Sequence, residues 1–198
     1  MRLPRSFYNR PALVVAKELL GKTLVLSESG KRRAGIIVET EAYVGEHDLA
    51  CHAAKGRTKR TEVLFGPPGH AYVYLIYGMY DCFNVVTEPE GVAAAVLIRG
   101  LEPLEGIDPA LETNGPGKLC RAMEITRQHN RLDLCGEVLW LEDGRVVKPS
   151  QIAKGARIGV DYAGEWAHKH YRFWIDGNAH VSKVPKKKVS FHKAPRRS

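Results

Sequence analysis

The stretch Ile37-Val38-Glu39-Thr40-Glu41-Ala42-Tyr43 sets two acids and a tyrosine at every second position of a β-branched run. On a strand those three side chains share one face. Acids there are odd in a core and fit the wall of a cleft, where a carboxylate can draw a proton from water. A plainer alternative is an exposed strand end with solvated acids. Downstream come His47, Cys51 and His52. Their spacing matches neither a helical H-E-x-x-H nor a paired zinc module, so no metal centre is expected.

Lys55-Gly56-Arg57-Thr58-Lys59-Arg60 places four cations and a glycine in six residues, a loop suited to gripping phosphates or simply to facing solvent. Tyr72-Val73-Tyr74-Leu75-Ile76-Tyr77-Gly78-Met79-Tyr80 is richer still in aromatics. Tyr72 and Tyr74 share a strand face, where ordinary sheet packing competes with a role as flat stacking surfaces for bases. Tyr77 and Met79 flank a glycine at an expected hairpin tip, the form of an apolar wedge that parts stacked bases.

These residues need a scaffold. Pro11 to Gly21 reads as a short helix, with proline in its first turn and glycine at its stop. Lys22–Ser27 and Ala34–Tyr43 read as strands around a turn at Ser29-Gly30-Lys31. Thr61–Phe65 suggests a helical turn, Ala71–Tyr77 and Cys82–Thr87 an antiparallel pair, and Ala93–Arg99 a buried strand. A helix opens at Asn114-Gly115-Pro116 and runs to about Ile125. Glu137–Glu142, Ala156–Val160 and Tyr171–Ile175 complete the expected strands. The class is α+β: a single domain with a largely antiparallel mixed sheet flanked by helices.

The 198 residues suit one domain, at 44% hydrophobic and 26% charged. No apolar run spans a bilayer and Met1-Arg2-Leu3-Pro4-Arg5 has no signal-peptide core, so a cytoplasmic address is expected, at the nucleoid if the source is bacterial. The four cysteines are scattered and expected to be idle thiols. No G-x-G-x-x-G or P-loop is present, which argues against a nucleotide cofactor. Of the net charge of +8, seven cations lie from Lys183 onward, leaving the rest near +1. Residues 1–182 are therefore read as the folded domain and 183–198 as a flexible basic tail.

Several blocks, in order from about Leu3 to Val181, resemble the alkyladenine (3-methyladenine) DNA glycosylase family. They are Ile37–Tyr43, Tyr72–Tyr80, Leu101-Glu102-Pro103-Leu104-Glu105-Gly106, Asn114-Gly115-Pro116-Gly117-Lys118-Leu119-Cys120 and Ala163-Gly164-Glu165-Trp166. The resemblance implies a repair enzyme that flips a damaged purine out of duplex DNA and hydrolyses its glycosidic bond, without metal or cofactor. It assigns activation of the attacking water to Glu41, with Arg99 and the Ile158 carbonyl holding that water. Tyr43 would lie on one face of the flipped base, and His52 and Tyr74 on the other. Asn84 would crowd the exocyclic amine of guanine. Tyr77 would be the wedge of a hairpin inserted into DNA, with Met79 beside it and Arg57 near the backbone. A monomer acting on double-stranded DNA with damaged purines is expected. The basic tail matches none of these blocks.

The chemistry of the bond agrees: departure of the base leaves an oxocarbenium-like sugar, which one carboxylate can stabilise while it positions water on the opposite face. Neutral lesions would also need protonation of the base by a donor that the sequence does not identify, with Glu39 one candidate. Three other readings compete. Lys118 could form a Schiff base in a glycosylase/lyase. His47, Cys51, His52 and Glu39 could hold a metal in a hydrolase. The tyrosines could serve a non-catalytic single-strand binder. The tail has its own test: deleting residues 183–198 is expected to flatten the fall of non-specific DNA affinity with salt, and an unchanged slope would deny it phosphate contacts.

Overall fold

The computed structural model describes residues 1–183. Past Lys183, the expected tail lies outside the described residues. The elements in order are helices α1 (Arg5–Tyr8) and α2 (Ala12–Glu18), strands β1 (Thr23–Glu28), β2 (Lys31–Tyr43), β3 (Ala71–Ile76), β4 (Tyr80–Thr87) and β5 (Ala94–Glu105), helix α3 (Pro116–Met123), and strands β6 (Leu139–Glu142), β7 (Ile152–Gly155) and β8 (Arg172–Ile175). Short 3-10 turns join them, among them His52–Lys55, Glu62–Phe65 and Asp161–His168.

The eight strands form one sheet in the order β3-β4-β5-β2-β1-β6, with β8 also on β2 and β7 beyond it. Every pairing between these strands is antiparallel. At thirteen residues β2 is long enough to change partners: its first part pairs with β1 and its end with β8. The expected elements stand, with β2 starting three residues earlier and β5 running six residues further than expected, except one. Residues 156–160 form no strand; β7 lies just before them. Gly159 takes a φ of +78°, and Ile158 turns its N–H to a carboxylate instead of a neighbouring strand.

Strand alternation divides the sheet into two faces. Val38 and Ala42 of β2, Ala71 and Val73 of β3, Phe83 and Val85 of β4, and Val96 and Ile98 of β5 belong to the main core, with Val15, Ala16 and Leu19 of the α2 region and Leu119 and Met123 of α3. The Thr40 hydroxyl, on the same face, donates to the Ala16 carbonyl at 2.8 Å and so ties α2 down. The residues between them, Glu39, Glu41, Tyr43, Tyr72, Tyr74, Cys82, Asn84, Leu97 and Arg99, are left for the other face.

No helix among the described residues is long and apolar enough to cross a membrane. All four cysteines are free thiols, three of them buried. Ile98 sits fully buried at the centre of the core face, one residue before Arg99. Its truncation to alanine should cost about 2–5 kcal/mol, read by urea unfolding. A loss under about 1 kcal/mol would mean that this layer can collapse around a cavity.

Candidate active site

The second face is assembled in rows across the sheet. Tyr72 pairs with Asn84, Asn84 with Leu97, Leu97 with Glu41, and Glu41 with Arg172. Residues from five strands thus share one line. Tyr43, Tyr72, Tyr74, Asn84, Arg99 and Ile158 line a cavity of about 370 Å³, inside the roughly 300–1,000 Å³ typical of small-molecule pockets.

A register fault places the arginine. The β2–β5 ladder shifts between Ile37 and Glu39 and again between Glu39 and Thr40, leaving Val38 and Arg99 without paired partners. Bulges of this kind re-aim a side chain. Here Arg99 Nε donates to Glu39 Oε1 at 3.3 Å, and Nη1 lies 3.4 Å from Glu41 Oε2. Both carboxylates have 0% side-chain exposure, so the exposed-acid alternative does not hold.

Glu41 is met from two further directions. The Ile158 N–H donates to Oε1 at 2.8 Å and the Tyr43 hydroxyl to Oε2 at 2.9 Å. Burial, then the nearby Glu41 charge, raises Tyr43 well above the usual phenol range and keeps it a donor. Tyr43, Arg99 and Ile158 all stand in the cavity wall, so Glu41 lies directly behind the surface they form. Beyond the carbonyl that the resemblance assigns to the water, the Ile158 N–H engages Glu41 itself.

The aromatic wall opposite is equally specific. The His52 and Tyr74 rings meet edge-on at 4.5 Å, Tyr72 lies 5.2 Å from Tyr74, and His52 Nδ1 is 2.9 Å from the Tyr72 hydroxyl. Arg60 lies over the Tyr74 ring at 5.0 Å. Asn84 Nδ2 donates to the Tyr72 carbonyl at 3.1 Å and sits at 3.4 Å from that of Cys82. With its amide nitrogen held by backbone, the acceptor oxygen is the end left for the cavity. At the mouth, Tyr77 (φ +53°) and Gly78 (φ +70°) make the two positive-φ centres of a hairpin turn between β3 and β4. A tyrosine there costs roughly 1–2 kcal/mol, and the residue is 83% exposed, with Met79 and Tyr80 exposed beside it.

Other residues are placed elsewhere. Arg57 stacks over Phe65 at 4.6 Å, outside the cavity wall. Glu39, the candidate proton donor, does not line the cavity. It accepts from Arg99, from Arg172 Nη1 at 3.0 Å, and from the Ser182 N–H and hydroxyl at 2.7 and 2.8 Å. His47 packs edge-on to Trp166, so the proposed metal set of His47, Cys51, His52 and Glu39 is spread over unconnected contacts. Among the described residues no group of three or more His, Cys, Asp or Glu could hold a metal ion. Lys118 Nζ is taken by Glu112 at 2.8 Å and Asn114 at 3.1 Å.

Sequence reasoning missed the supports. Arg157 is fully buried and bidentate to Asp48 at 2.5 and 2.7 Å; it also donates to the Ala42 carbonyl and stacks on Tyr43 at 4.7 Å. Its only signal is an arginine within the apolar run Ala156-Arg157-Ile158-Gly159-Val160. Arg172 and Ser182 carry no signal beyond their identity. Tyr162, exposed at the cavity rim with its hydroxyl on the Ala50 carbonyl at 3.3 Å, was passed over as well.

Burial first, then Arg60 and Lys55, push His52 down from 6.5 to about 4. Below pH 6.5 the unfolded chain binds a proton that folded His52 refuses until about 4. The residue therefore subtracts stability progressively across that window. The urea midpoint of His52→Gln should accordingly drop less than that of the wild type between about pH 7 and pH 5. Equal drops would mean that His52 is charged in the fold.

A family model described as Methylpurine-DNA glycosylase (MPG) matches residues 6–179. Similar proteins from several organisms carry the name "Putative 3-methyladenine DNA glycosylase". The one from Myxococcus xanthus is 63% identical over 183 residues, covering 92% of this chain and 94% of its own. The one from Methanocella arvoryzae is 56% identical over 194 residues, with 91% and 96% covered. That from Legionella pneumophila (strain Corby) is 52% identical over 183 residues, with 92% and 99% covered. With a family model spanning most of its length and relatives above half identity along nearly all of it, the chain belongs to the methylpurine-DNA glycosylase family.

Proposed function

We propose that this DNA glycosylase flips alkylated or deaminated purines, of the 3-methyladenine, hypoxanthine or ethenoadenine type, out of duplex DNA and hydrolyses their N-glycosidic bonds with water activated by Glu41, leaving an abasic site. The observation that carries the reading is the buried carboxylate of Glu41 directly behind the wall of a cavity of about 370 Å³ lined by Tyr43, His52, Tyr72 and Tyr74.

In the proposed sequence Tyr77 enters the base stack as the nucleotide leaves it. The flipped base lies between Tyr43 on one side and His52 with Tyr74 on the other. Unstacking costs a few kcal/mol, least for a lesion that pairs badly. Stacking, at about 1–3 kcal/mol per base, offsets it. The C1′–N bond then breaks, its electron pair leaving with the base, while the oxygen of water bonds to C1′ and its proton passes to Glu41. A cationic alkylated purine departs neutral; hypoxanthine needs a proton that Glu39, both its oxygens held by Arg172 and Ser182, is badly placed to give. Arg99 and the Ile158 segment hold the reacting water and its base, and Asn84 opposes the amine of guanine. Met79 and Arg57 contact DNA beside the wedge.

Every residue of this machinery comes from one chain, which supports action as a monomer wherever its DNA lies, the nucleoid in a bacterial cell. The test is a labelled duplex with one hypoxanthine or one ethenoadenine, incubated in EDTA and read after hot alkali. The wild type should cut at the lesion. Glu41→Gln should bind the same duplex yet excise about 10²–10⁴-fold more slowly. Tyr77→Ala should weaken lesion binding by about 1–3 kcal/mol. Near-normal single-turnover cutting by Glu41→Gln would sink the assignment. Borohydride trapping would favour a lysine lyase, and a preference for undamaged single strands a non-catalytic binder.

A further inference from the structure

Glu39 is a fully engaged buried carboxylate behind the site, yet the proposed hydrolysis gives it no task. It faces two buried guanidinium groups, Arg99 and Arg172, and receives two hydrogen bonds from Ser182. The segment that brings Ser182 here runs close against β5: a Cβ on Gly100 would lie 2.6 Å from the His180 carbonyl oxygen. That approach requires glycine. Thr113 adds a contact to His180 Nδ1 at 3.1 Å. The end of the described chain is thus strapped behind the site, with Ser182 as its clasp.

Arg99 stands between two carboxylates and divides its donors among them. Nε goes to Glu39, Nη1 makes a single long approach of 3.4 Å to Glu41, and Nη2 reaches the Ser182 hydroxyl at 3.5 Å. A guanidinium given one carboxylate alone closes on it with two parallel bonds. A carboxylate so paired is a weaker base. We infer that Glu39, clasped by Ser182, is a positioning residue that withholds Arg99 from a bidentate pair with Glu41 and so preserves Glu41 as the base. The inference rests on the role proposed above for Glu41.

The surroundings leave Arg99 as the adjustable element. Groups facing Glu41 are Arg99 from β5, Tyr43 from its own strand, Tyr74 from β3, Cys82 from β4 and the Ile158 N–H, with Arg157 beyond Tyr43. The two cations among them differ: Arg157 is already committed to Asp48 by two bonds. Charge within the buried set also balances, Glu39 and Glu41 against Arg99 and Arg172. Neutralising Glu39 leaves one excess positive charge in this set and frees the Arg99 donor that Glu39 now accepts.

The experiment is single-turnover excision from the hypoxanthine duplex across pH, for wild type, Glu39→Gln, Ser182→Ala and Glu41→Gln, with lesion-duplex binding measured alongside. Glu39→Gln should bind within about twofold of wild type, lose at least about tenfold in plateau rate, and move the acid limb of its profile to lower pH. Ser182→Ala keeps the backbone donor and should move both in the same direction by about two- to fivefold in rate. Should Glu39→Gln fail to fold, Ser182→Ala decides the question alone. A wild-type rate, or a reduced rate with an unmoved acid limb, overturns the inference, the latter because a merely structural role loses rate without changing the base. If Glu41→Gln is inactive while Glu39→Gln behaves as wild type, this inference alone fails. If Glu41→Gln cuts normally, the base assignment fails and takes this one with it.

Discussion

A buried guanidinium between two buried carboxylates is the contact on which the rest of the site depends. Each ion taken out of water carries an effective penalty of several kcal/mol, recovered only where partners and hydrogen bonds are complete. Two acids two residues apart on one strand face make that condition severe. Arg99 meets it from β5 and Arg172 from β8, while Ser182 and Ile158 supply backbone donors from segments far along the chain. Four stretches of sequence therefore have to arrive together before either glutamate can be buried. The site is a consequence of folding to completion, and a chain missing any of these arrivals would leave an unpaired charge under its cavity.

The geometry that permits this is a fault in an otherwise regular ladder. Perfect alternation would continue the β2–β5 pairing through Arg99; the bulge there swings its side chain toward two successive same-face acids. Ile98, its neighbour, remains in the core, so the irregularity is absorbed between a rigid apolar layer and a polar one. The same division explains how a cavity lined with tyrosine, histidine and asparagine persists in a small domain. Its back is the core face of the same strands, packed on α2 and α3, and the wall cannot collapse without dragging that layer.

Rigidity at the cavity contrasts with strain at its mouth. Tyr77 holds a left-handed backbone conformation at a position where asparagine or glycine would cost less, and its ring contributes nothing to packing. Such strain concentrates at functional positions. The Arg157–Asp48 pair does the opposite service: it binds the segment of Ile158 to the loop after β2 and backs the ring of Tyr43, fixing two walls with one ion pair.

Much of this was legible in the sequence, because it follows from local rules. Turn signals and β-branched, aromatic or apolar runs marked β1 to β5, and strand alternation the common face of Glu39, Glu41 and Tyr43; proline and glycine marked the ends of α2 and the start of α3; the ordered blocks carried the family. What sequence could not supply was the pairing of distant charges. Residues 156–160 read as a strand because their apolar pattern is that of one, yet the need of Glu41 for a donor and of Asp48 for a cation drew them out of any ladder. Glu39 read as a possible acid because its type allows it; only the arrival of Arg172 and Ser182 commits both its oxygens. Local propensity depends on neighbours in the chain and is written there. The state of a buried charge depends on whatever folding brings within about 3 Å of it, and tertiary structure alone decides that.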